Sequence, residues 1–406
     1  MVTVVLFEKL KYKPMRSFLL VFSIFCSLSV HAQSILPNNW DPVGVADAVL
    51  SGLVKVTAPE VKGAHDAEFV LVDDYAYIVA EVNDLKAGES GHWTFIYSTM
   101  SIVNLKTMSV EKIIPFARSE QQFANVTLPE GQCWIPRILQ KDKKNLRIYF
   151  VNERAGEIPY SQVWYIDYDM RSGAFSKKIH KVKIKTSAGK LDFTTENFYK
   201  DAKAHGFNKK PVGYGAYLFD SFKEFDGKTY TTLNNFPGKQ NALAIANKKL
   251  DTFEILGHYN EPQSAQLSES AVNRLPDGTW MAICRRDDGD KNYLITYSKD
   301  GQDWTDAESI PSIPNGTNSK PTFDFFDGIY YLGWQENTKV DGVSRSVFNI
   351  DVSLDGKNWE RKYSFRTNQS FQYPSFAKHN NSIWLIATQG DHSDSRKERI
   401  MFGKLE

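Results

Sequence analysis

The 406-residue sequence predicts an all-β protein, a six-bladed β-propeller whose ring is closed by an N-terminal strand. Three observations indicate this fold. A two-strand pattern recurs along the chain, hairpin turn residues separate the paired strands, and no long segment has the 3.6-residue period of an amphipathic helix. Units of about 50 residues with three or four strands each are typical of propeller blades. The alternative architecture, a β-sandwich, does not explain the repeat.

Each copy of the repeat has a polar residue, a strand rich in β-branched and aromatic residues, a turn and a second strand. The copies begin at His65, Pro136, Asp220, Glu269, Lys320 and Tyr373. Four turns contain suitable residues: Asp226-Gly227, Asp277-Gly278, Asp327-Gly328 and Asn380-Asn381. The last copy reaches the C-terminus without room for an outer strand. Residues 50–57 are therefore predicted to supply that strand and to leave no open sheet edge.

Composition describes an ordinary globular chain. Lys and Arg number 49 against 48 Asp and Glu, 42% of residues are hydrophobic, and there are 3 Cys. Disordered, collagen-like and disulfide-scaffold proteins are excluded, and the near-neutral balance argues against a nucleic-acid partner. No nucleotide or redox motif and no zinc ligand set is apparent, so we predict no cofactor; a structural cation in the propeller channel stays open. Cys133 and Cys284 are expected to be buried and free.

Residues 1–32 have the form of a secretory signal peptide, with Met15 as the natural start. Arg16 precedes an apolar run that ends in the small-residue site Val30-His31-Ala32. The run is about 14 residues long, shorter than the ~20 needed to span a bilayer. We therefore expect residues 33–406 to form one secreted or periplasmic propeller domain without a membrane anchor. The oligomeric state is not predicted.

Two segments, Ser298–Trp304 and Ser353–Trp359, both read S-x-D-G-x-x-W. In this spacing the Asp carboxylate can accept hydrogen bonds from turn N–H groups, the Gly can take a positive φ, and the Trp can pack between sheets. The segments resemble the Asp-box, or BNR repeat, of sialidases and related six-bladed propellers. Asp-boxes are structural in that family, so this resemblance implies a sialidase-like fold and says nothing of activity.

A second resemblance concerns chemistry. The segment from Glu269 to Arg285 is similar to the sialidase segment with the catalytic glutamate and one arginine of the carboxylate-binding triad. Arg345 lies where another triad arginine would be, and Tyr373 resembles the nucleophilic tyrosine. The resemblance covers roughly residues 265–406. It implies that Glu269 activates the Tyr373 phenol, whose ordinary pKa is ~10, while the arginines bind a carboxylate.

The N-terminal half departs from the family pattern. Sialidases have an Arg-Ile-Pro segment on the first blade, and His65 stands in its place here. Arg137 could supply the missing guanidinium from the second blade, and His65 could itself act as a base. Glu89 lies in the loop where a general acid is wanted, with Asp66 and Asp84 as competitors.

Further substrate contacts are predicted from polar residues at strand ends: Lys320, Arg286, Asn235 and Gln335. The leading hypothesis is a retaining, exo-acting glycoside hydrolase that removes a terminal anionic sugar, of the sialic or uronic acid type, from a glycan. Two alternatives stay open. One is a propeller-type polysaccharide lyase or His-dependent glycosidase that acts at glucuronate-containing ends. The other is a non-catalytic carbohydrate-binding propeller.

Overall fold

Strands dominate the structure, a computed structural model that describes residues 34–207, 215–259, 265–391 and 397–406. Within these ranges there are 28 strands and two helices. The predicted signal peptide, residues 1–32, lies outside them. In the described ranges no helix has both the length and the apolar character needed to cross a membrane. Cys133 and Cys284 are buried and free, as expected.

The strands of the described ranges form six sheets, one after another in chain order. Helix α1 (Pro42–Gly52) and strand β1 (Val54–Lys55) come first. The first sheet contains β2 (Gly63–Val72), β3 (Tyr75–Asn83), β4 (Tyr97–Asn104) and β5 (Ser109–Ala117). The second contains β6 (Gln132–Gln140), β7 (Asn145–Arg154), β8 (Tyr160–Asp169), β9 (Ala174–Phe175) and β10 (His180–Lys181).

The third sheet is the largest, and helix α2 (Thr195–Ala204) is inserted between its strands in the sequence. Its strands are β11 (Lys183–Thr186), β12 (Gly189–Asp192), β13 (Ala216–Leu218), β14 (Lys223–Phe225), β15 (Lys228–Asn235), β16 (Gln240–Ala246) and β17 (Thr252–His258). The fourth sheet contains β18 (Leu267–Arg274), β19 (Trp280–Arg286), β20 (Leu294–Ser298) and β21 (Glu308–Ser309). The fifth contains β22 (Thr322–Phe326), β23 (Ile329–Gln335), β24 (Val347–Ser353) and β25 (Glu360–Arg366). The sixth contains β26 (Ser370–His379), β27 (Ser382–Gly390), β28 (Arg399–Lys404) and β1.

The sheets follow one another in a closed cycle. The first strands of consecutive sheets contact each other, from β2 through β6, β13, β15, β18, β22 and β26 back to β2. Buried apolar side chains form one cluster between each pair of neighbouring sheets. Each sheet therefore buries both faces against its neighbours, which is the arrangement of a β-propeller. The predicted all-β propeller class is confirmed.

The ring closes through the N-terminal strand, in a shorter form than predicted. Strand β1 pairs antiparallel with β28, with Val54 opposite Phe402. Residues 50–52, expected to belong to this strand, are instead the end of helix α1. That helix begins where the Asp41 side chain accepts a hydrogen bond from the Val43 N–H, with Pro42 as the first helical residue.

Both Asp-box segments form the turn that their sequence predicts. In the first, one carboxylate oxygen of Asp300 accepts hydrogen bonds from the backbone N–H groups of Gln302 and Asp303, at 2.8 and 3.1 Å. Gly301 has φ +81°, and the Trp304 indole donates to its carbonyl at 3.1 Å. In the second box Asp355 likewise accepts hydrogen bonds from the backbone N–H groups of Lys357 and Asn358, both at 2.8 Å. The boxes stabilise the outer parts of the fourth and fifth sheets.

A repeated irregularity in the inner strands shapes the centre of the molecule. The register shifts once in each of β2, β6, β18 and β26, as in a β-bulge. In three of these strands a residue other than glycine has positive φ at the shift: Asp66 at +46°, Ile135 at +48° and Tyr373 at +50°. Bulges re-aim side chains, and such a backbone costs about 1–3 kcal/mol per residue. The sheets therefore hold three strained positions at one level of the ring.

Candidate active site

A cavity of about 280 Å³ lies at the bulged ends of the inner strands. This volume is slightly below the usual range for small-molecule sites, about 300–1,000 Å³, so the cavity has room for roughly one sugar ring. Titratable and aromatic side chains share its wall. The lining residues are His65, Asp66, Glu81, Glu89, Ser90, Gly91, Trp134, Ile135, Tyr217, Phe219, Phe236, Glu269, Arg285, Arg345, Tyr373 and Lys397.

The structure brings Tyr373 and Glu269 together, although 104 positions separate them in the chain. The Tyr373 hydroxyl lies 2.7 Å from both carboxylate oxygens of Glu269 and donates to them. Arg285 completes the group, with one guanidinium nitrogen 2.9 Å from Glu269 and 3.1 Å from the Tyr373 oxygen. The bulge at Tyr373 re-aims this side chain, and the phenol lines the cavity.

The Tyr373 phenol is neutral in this arrangement. Burial, followed by the neighbouring Glu269 carboxylate, raises the pKa of Tyr373 well above its ordinary value, while Arg285 and Arg345 act in the opposite direction. An anionic phenolate is therefore disfavoured before a substrate binds. The oxygen can act as a nucleophile only if its proton passes to Glu269 as it attacks, and the 2.7 Å contact allows that transfer.

Arg285 is fixed by acidic side chains on two sides. Its Nε donates to Asp287 at 2.8 Å, and Lys239 forms an ion pair with the other oxygen of Asp287. Because Glu269 and Asp287 both pair with Arg285, its charge is largely compensated within the protein. Arg285 therefore orients the Tyr373–Glu269 pair and presents only part of its charge to a ligand.

Arg345 has a different environment. Its guanidinium donates to the Gln372 side-chain oxygen at 2.8 Å and to the Asn318 carbonyl at 2.9 Å, both of them neutral groups. Among the described residues, no carboxylate forms an ion pair with it. Its backbone is also strained, with φ +54°. Arg345 therefore brings an uncompensated positive charge to the cavity wall, which suits an anionic ligand.

His65 packs directly on the nucleophile candidate. Its ring centroid is 4.3 Å from that of Tyr373, and its Nδ1 lies 3.0 Å from the Thr388 hydroxyl. Its Nε2 is 3.9 Å from Glu89 and makes no hydrogen bond within the described part of the chain. Burial, assisted by the Lys397 ammonium, lowers the pKa of His65 to about 3. The imidazole is thus neutral near pH 7, and its buried Nε2 lacks a hydrogen-bond partner among the described residues.

Two carboxyl groups beside His65 differ in protonation. Burial by itself would raise the pKa of Glu89, but the ion pair with Lys397 holds it below its usual range. Burial and the Glu89 charge raise the pKa of Glu81 well above its usual range. Glu81 accepts a hydrogen bond from the Ile135 N–H at 2.8 Å. The lowered pKa of Glu89, predicted as the general acid, therefore favours its ionised form, whereas the raised pKa of Glu81 favours the protonated form that a general acid needs.

The competing acids are placed less well for proton donation. Asp66 lines the cavity, but two cations hold it: Arg137 contacts both of its oxygens at 3.1 Å, and Lys320 lies 3.4 Å away. Burial disfavours its charge, but these cations outweigh that effect and lower the pKa of Asp66. Asp84 accepts a hydrogen bond from the Tyr97 hydroxyl at 2.7 Å and does not line the cavity.

Arg137 and Lys320, predicted as substrate-binding residues, lie beneath the cavity and not in its wall. Arg137 is 0% exposed, and its guanidinium also donates to the Phe219 carbonyl at 2.8 and 3.0 Å. The bulge explains the difference, because it places Ile135 level with Tyr373. Arg137 lies two residues, or about 6.6 Å, further along its strand. Both cations neutralise Asp66 instead of reaching a ligand.

Three other predicted contact residues also lie outside the cavity wall. The Asn235 amide donates to the Gln240 side chain at 2.8 Å within a hairpin, and the Gln335 amide donates to the Val347 carbonyl at 2.7 Å inside the fifth sheet. Both side chains are buried. Arg286 points along the loop after β19, where it pairs with Asp288 at 2.7 Å.

Several cavity residues were not identified from the sequence. Glu81 lies within an ordinary strand, and Lys397 lies in the loop before the last strand, so neither has a local signal. Four aromatic side chains complete the wall: Trp134, Tyr217, Phe219 and Phe236. Trp134 lies two residues before Pro136, where the second copy of the repeat begins, and this is the one available indication for the set. Aromatic faces are typical of sites that stack on sugar rings or exclude water.

No protein-family model matches the chain, and no curated protein matches it. Solved structures do. A protein of unknown function from Dyadobacter fermentans superposes with a TM-score of 0.63 at 12% identity, over 87% of this chain and 97% of that one. Trypanosoma rangeli sialidase in complex with sialic acid superposes with a TM-score of 0.58 at 11% identity, over 87% of this chain and 57% of the sialidase chain. A Hadza microbial sialidase superposes with a TM-score of 0.55 at 12% identity, over 84% of this chain and 65% of the sialidase chain. At these identities the likeness shows the fold alone, and this chain spans less than two thirds of the sialidase chains.

Proposed function

We propose that this chain is an exo-acting glycoside hydrolase that releases a terminal anionic sugar, of the sialic or uronic acid type, from a glycan. We also take each of the six sheets as one blade, with the cavity at their common axis. The observation that carries the proposal is the Tyr373 hydroxyl bonded to Glu269 inside a cavity for about one sugar ring. On the predicted signal peptide, we further propose that the protein acts outside the cytoplasm.

In the first step of the proposed reaction, the Tyr373 oxygen attacks the anomeric carbon and its proton moves to Glu269. The bond from that carbon to the leaving oxygen breaks, and Glu81 supplies the proton that this oxygen takes up. Water then attacks the glycosyl-tyrosine, giving its proton to Glu81, while Tyr373 regains a proton from Glu269. Two displacements leave the anomeric configuration unchanged. A neutral phenol also avoids the repulsion that a carboxylate nucleophile would meet from an anionic sugar.

Arg345 carries the preference for an anionic ring in this proposal. Its two protein partners are neutral, so a substrate carboxylate would be the first anion to pair with it. Arg285 can contribute a second, weaker contact because Glu269 and Asp287 already share its charge. A bidentate pair with an arginine fixes the orientation of a carboxylate as well as its position. The anomeric carbon would then be held facing Tyr373.

One observation favours a second candidate, a lyase or His-dependent glycosidase for glucuronate-containing ends. The His65 imidazole is neutral, its Nε2 has no hydrogen-bond partner among the described residues, and its ring lies against Tyr373. A base in that position could remove the proton next to a uronate carboxylate. Elimination would give an unsaturated sugar, whereas hydrolysis gives a saturated one.

Product analysis with the full chain tests these candidates. The panel contains sialosides, simple glucuronides and rhamnose–glucuronate oligosaccharides, and products are followed by NMR and by ultraviolet absorbance. We expect a saturated terminal acid with retained anomeric configuration. An unsaturated product would replace the hydrolase proposal with the lyase. Binding without turnover across the panel would overturn both and leave a carbohydrate-binding propeller.

A further inference from the structure

A carboxylate and two imidazoles converge between helix α2 and strand β17. Asp201 and His205 are four positions apart at the C-terminal end of the helix and so face the same side. His258 is the last residue of β17. One possible ligand atom from each of the three residues lies within 4.8 Å of the other two. None of them lines the cavity described above.

The distances suit one small cation. His258 Nε2 is 2.7 Å from Asp201 Oδ2, and His205 Nε2 is 4.0 Å from the same oxygen. Ligand atoms bonded to a tetrahedral zinc ion at about 2.0–2.1 Å are roughly 3.3 Å apart. The two observed distances lie on either side of this value. All three atoms lie within 4.8 Å of one another, so modest side-chain shifts would give them a common ion.

The surroundings hold the buried ligands in this orientation. The second carboxylate oxygen of Asp201 lies 3.3 Å from both the backbone N–H and the hydroxyl of Ser187, which leaves Oδ2 directed at the imidazoles. Phe198 and Phe207 pack on the His258 ring, with centroids at 5.3 and 5.8 Å. Outer contacts of this kind orient the ligands of protein metal sites.

The three residues differ in their access to solvent. The side chains of His258 and Asp201 are 0% and 3% exposed, and that of His205 is 46% exposed. An ion bound to all three would be buried on one side and open to water beside His205.

We propose that Asp201, His205 and His258 bind a divalent transition-metal ion of the zinc class, with water at the remaining position. Two imidazoles and one carboxylate favour such an ion over Ca²⁺ or Mg²⁺, which require more oxygen ligands. The ion joins the end of helix α2 to the third sheet. No zinc motif is apparent in the sequence because 53 positions separate His205 from His258 and no cysteine takes part.

Cobalt binding by the full chain tests this site. The protein is treated with a chelator, dialysed and titrated with Co²⁺, whose tetrahedral complexes absorb strongly in the visible region; Zn²⁺ is then added as a competitor. We expect one ion per chain. His205→Gln should weaken binding at least tenfold and abolish the rise in melting temperature that Zn²⁺ produces. Asp201→Asn should do the same.

His180→Gln is the matched control, because this exposed imidazole lies on β10, where it stacks on Tyr165, and is not one of the three proposed ligands. The control should bind as the wild type does. Since His205 is half exposed at a helix end, its replacement leaves the core intact. Failure of the wild-type chain to bind Co²⁺ or Zn²⁺ stoichiometrically would overturn the proposal, and so would equal binding by His205→Gln and the control. Neither result depends on glycan turnover.

Discussion

The substitution Tyr373→Phe tests the proposed reaction with the loss of a single oxygen atom. That oxygen lies 2.7 Å from both carboxylate oxygens of Glu269 and 3.1 Å from the Arg285 guanidinium. Phenylalanine keeps the aromatic ring and its packing against His65. The effect on chemistry can therefore be separated from the effect on the fold.

The two effects differ in size. Glu269 keeps its 2.9 Å ion pair with Arg285 in the variant, so no buried charge loses all of its partners. Loss of one hydrogen bond to a charged group then lowers the free energy of unfolding by about 1.5–3 kcal/mol. Loss of a nucleophile is more costly. We expect kcat to fall by at least about 10³-fold, or about 4 kcal/mol of activation free energy.

The assay measures kcat and KM on the substrate that the panel identifies, with thermal unfolding in parallel. Tyr149→Phe is the control, because it also removes a buried hydroxyl, one that donates to the Leu250 carbonyl at 2.8 Å outside the cavity. The control should lose stability and keep its turnover. A Tyr373→Phe protein with kcat within tenfold of the wild type, or a control equally impaired in kcat, would refute the reasoning.

Three further predictions concern binding, proton transfer and the buried ion pair. Arg345→Met should raise KM at least tenfold for a carboxylate-bearing substrate and much less for its methyl ester; equal effects on both would contradict the role of Arg345. Because burial and the Glu89 charge raise the pKa of Glu81, it keeps its proton to a higher pH than an ordinary glutamate, and activity should fall as the pH rises past that pKa. Glu81→Gln should slow glycosides with alkyl leaving groups far more than nitrophenyl glycosides, whose leaving group needs no proton, and a uniform loss would exclude it as the acid. Arg137→Met leaves Asp66 with Lys320 alone and should cost about 3 kcal/mol in denaturant unfolding, with KM unchanged if the variant folds; a raised KM at unchanged stability would restore Arg137 to the substrate site.

The repeated bulge gives the site its rigidity. Asp66, Ile135 and Tyr373 take the same strained backbone at the same level of three inner strands. Of the three side chains, only the Tyr373 phenol has an evident chemical task. The Asp66 carboxylate is paired with the buried cations Arg137 and Lys320. Ile135 uses its backbone instead, since its N–H donates to Glu81. The strained backbone therefore positions the Tyr373 phenol and also, through the Ile135 N–H, the Glu81 carboxyl group.

Local sequence was sufficient where the relevant interactions are local. The Asp-Gly pairs at 226–227 and 327–328 have positive φ at both residues, as two-residue hairpin turns require. Strands β20 and β24, which follow the hairpins of two copies of the repeat, are likewise rich in β-branched and aromatic residues. Helix α2 was not predicted because its ten residues have few apolar side chains, and its stability comes from packing against the third sheet.

The amino-acid sequence by itself determined the strand pairs, their turns and the residue types gathered around the cavity, since period-2 patterning and turn chemistry act over a few residues. Only the tertiary structure decided which charges face the cavity. The bulge between Trp134 and Arg137 places Arg137 beneath the cavity. Arg345 lies in the cavity wall, and no carboxylate of the described residues pairs with it. The tertiary structure also decided the pKa values of two glutamates. Burial raises the pKa of Glu81, whereas Lys397, more than 300 positions away in the sequence, lowers the pKa of Glu89. Electrostatic environment depends on neighbours in space, and closure of the ring is what supplies them.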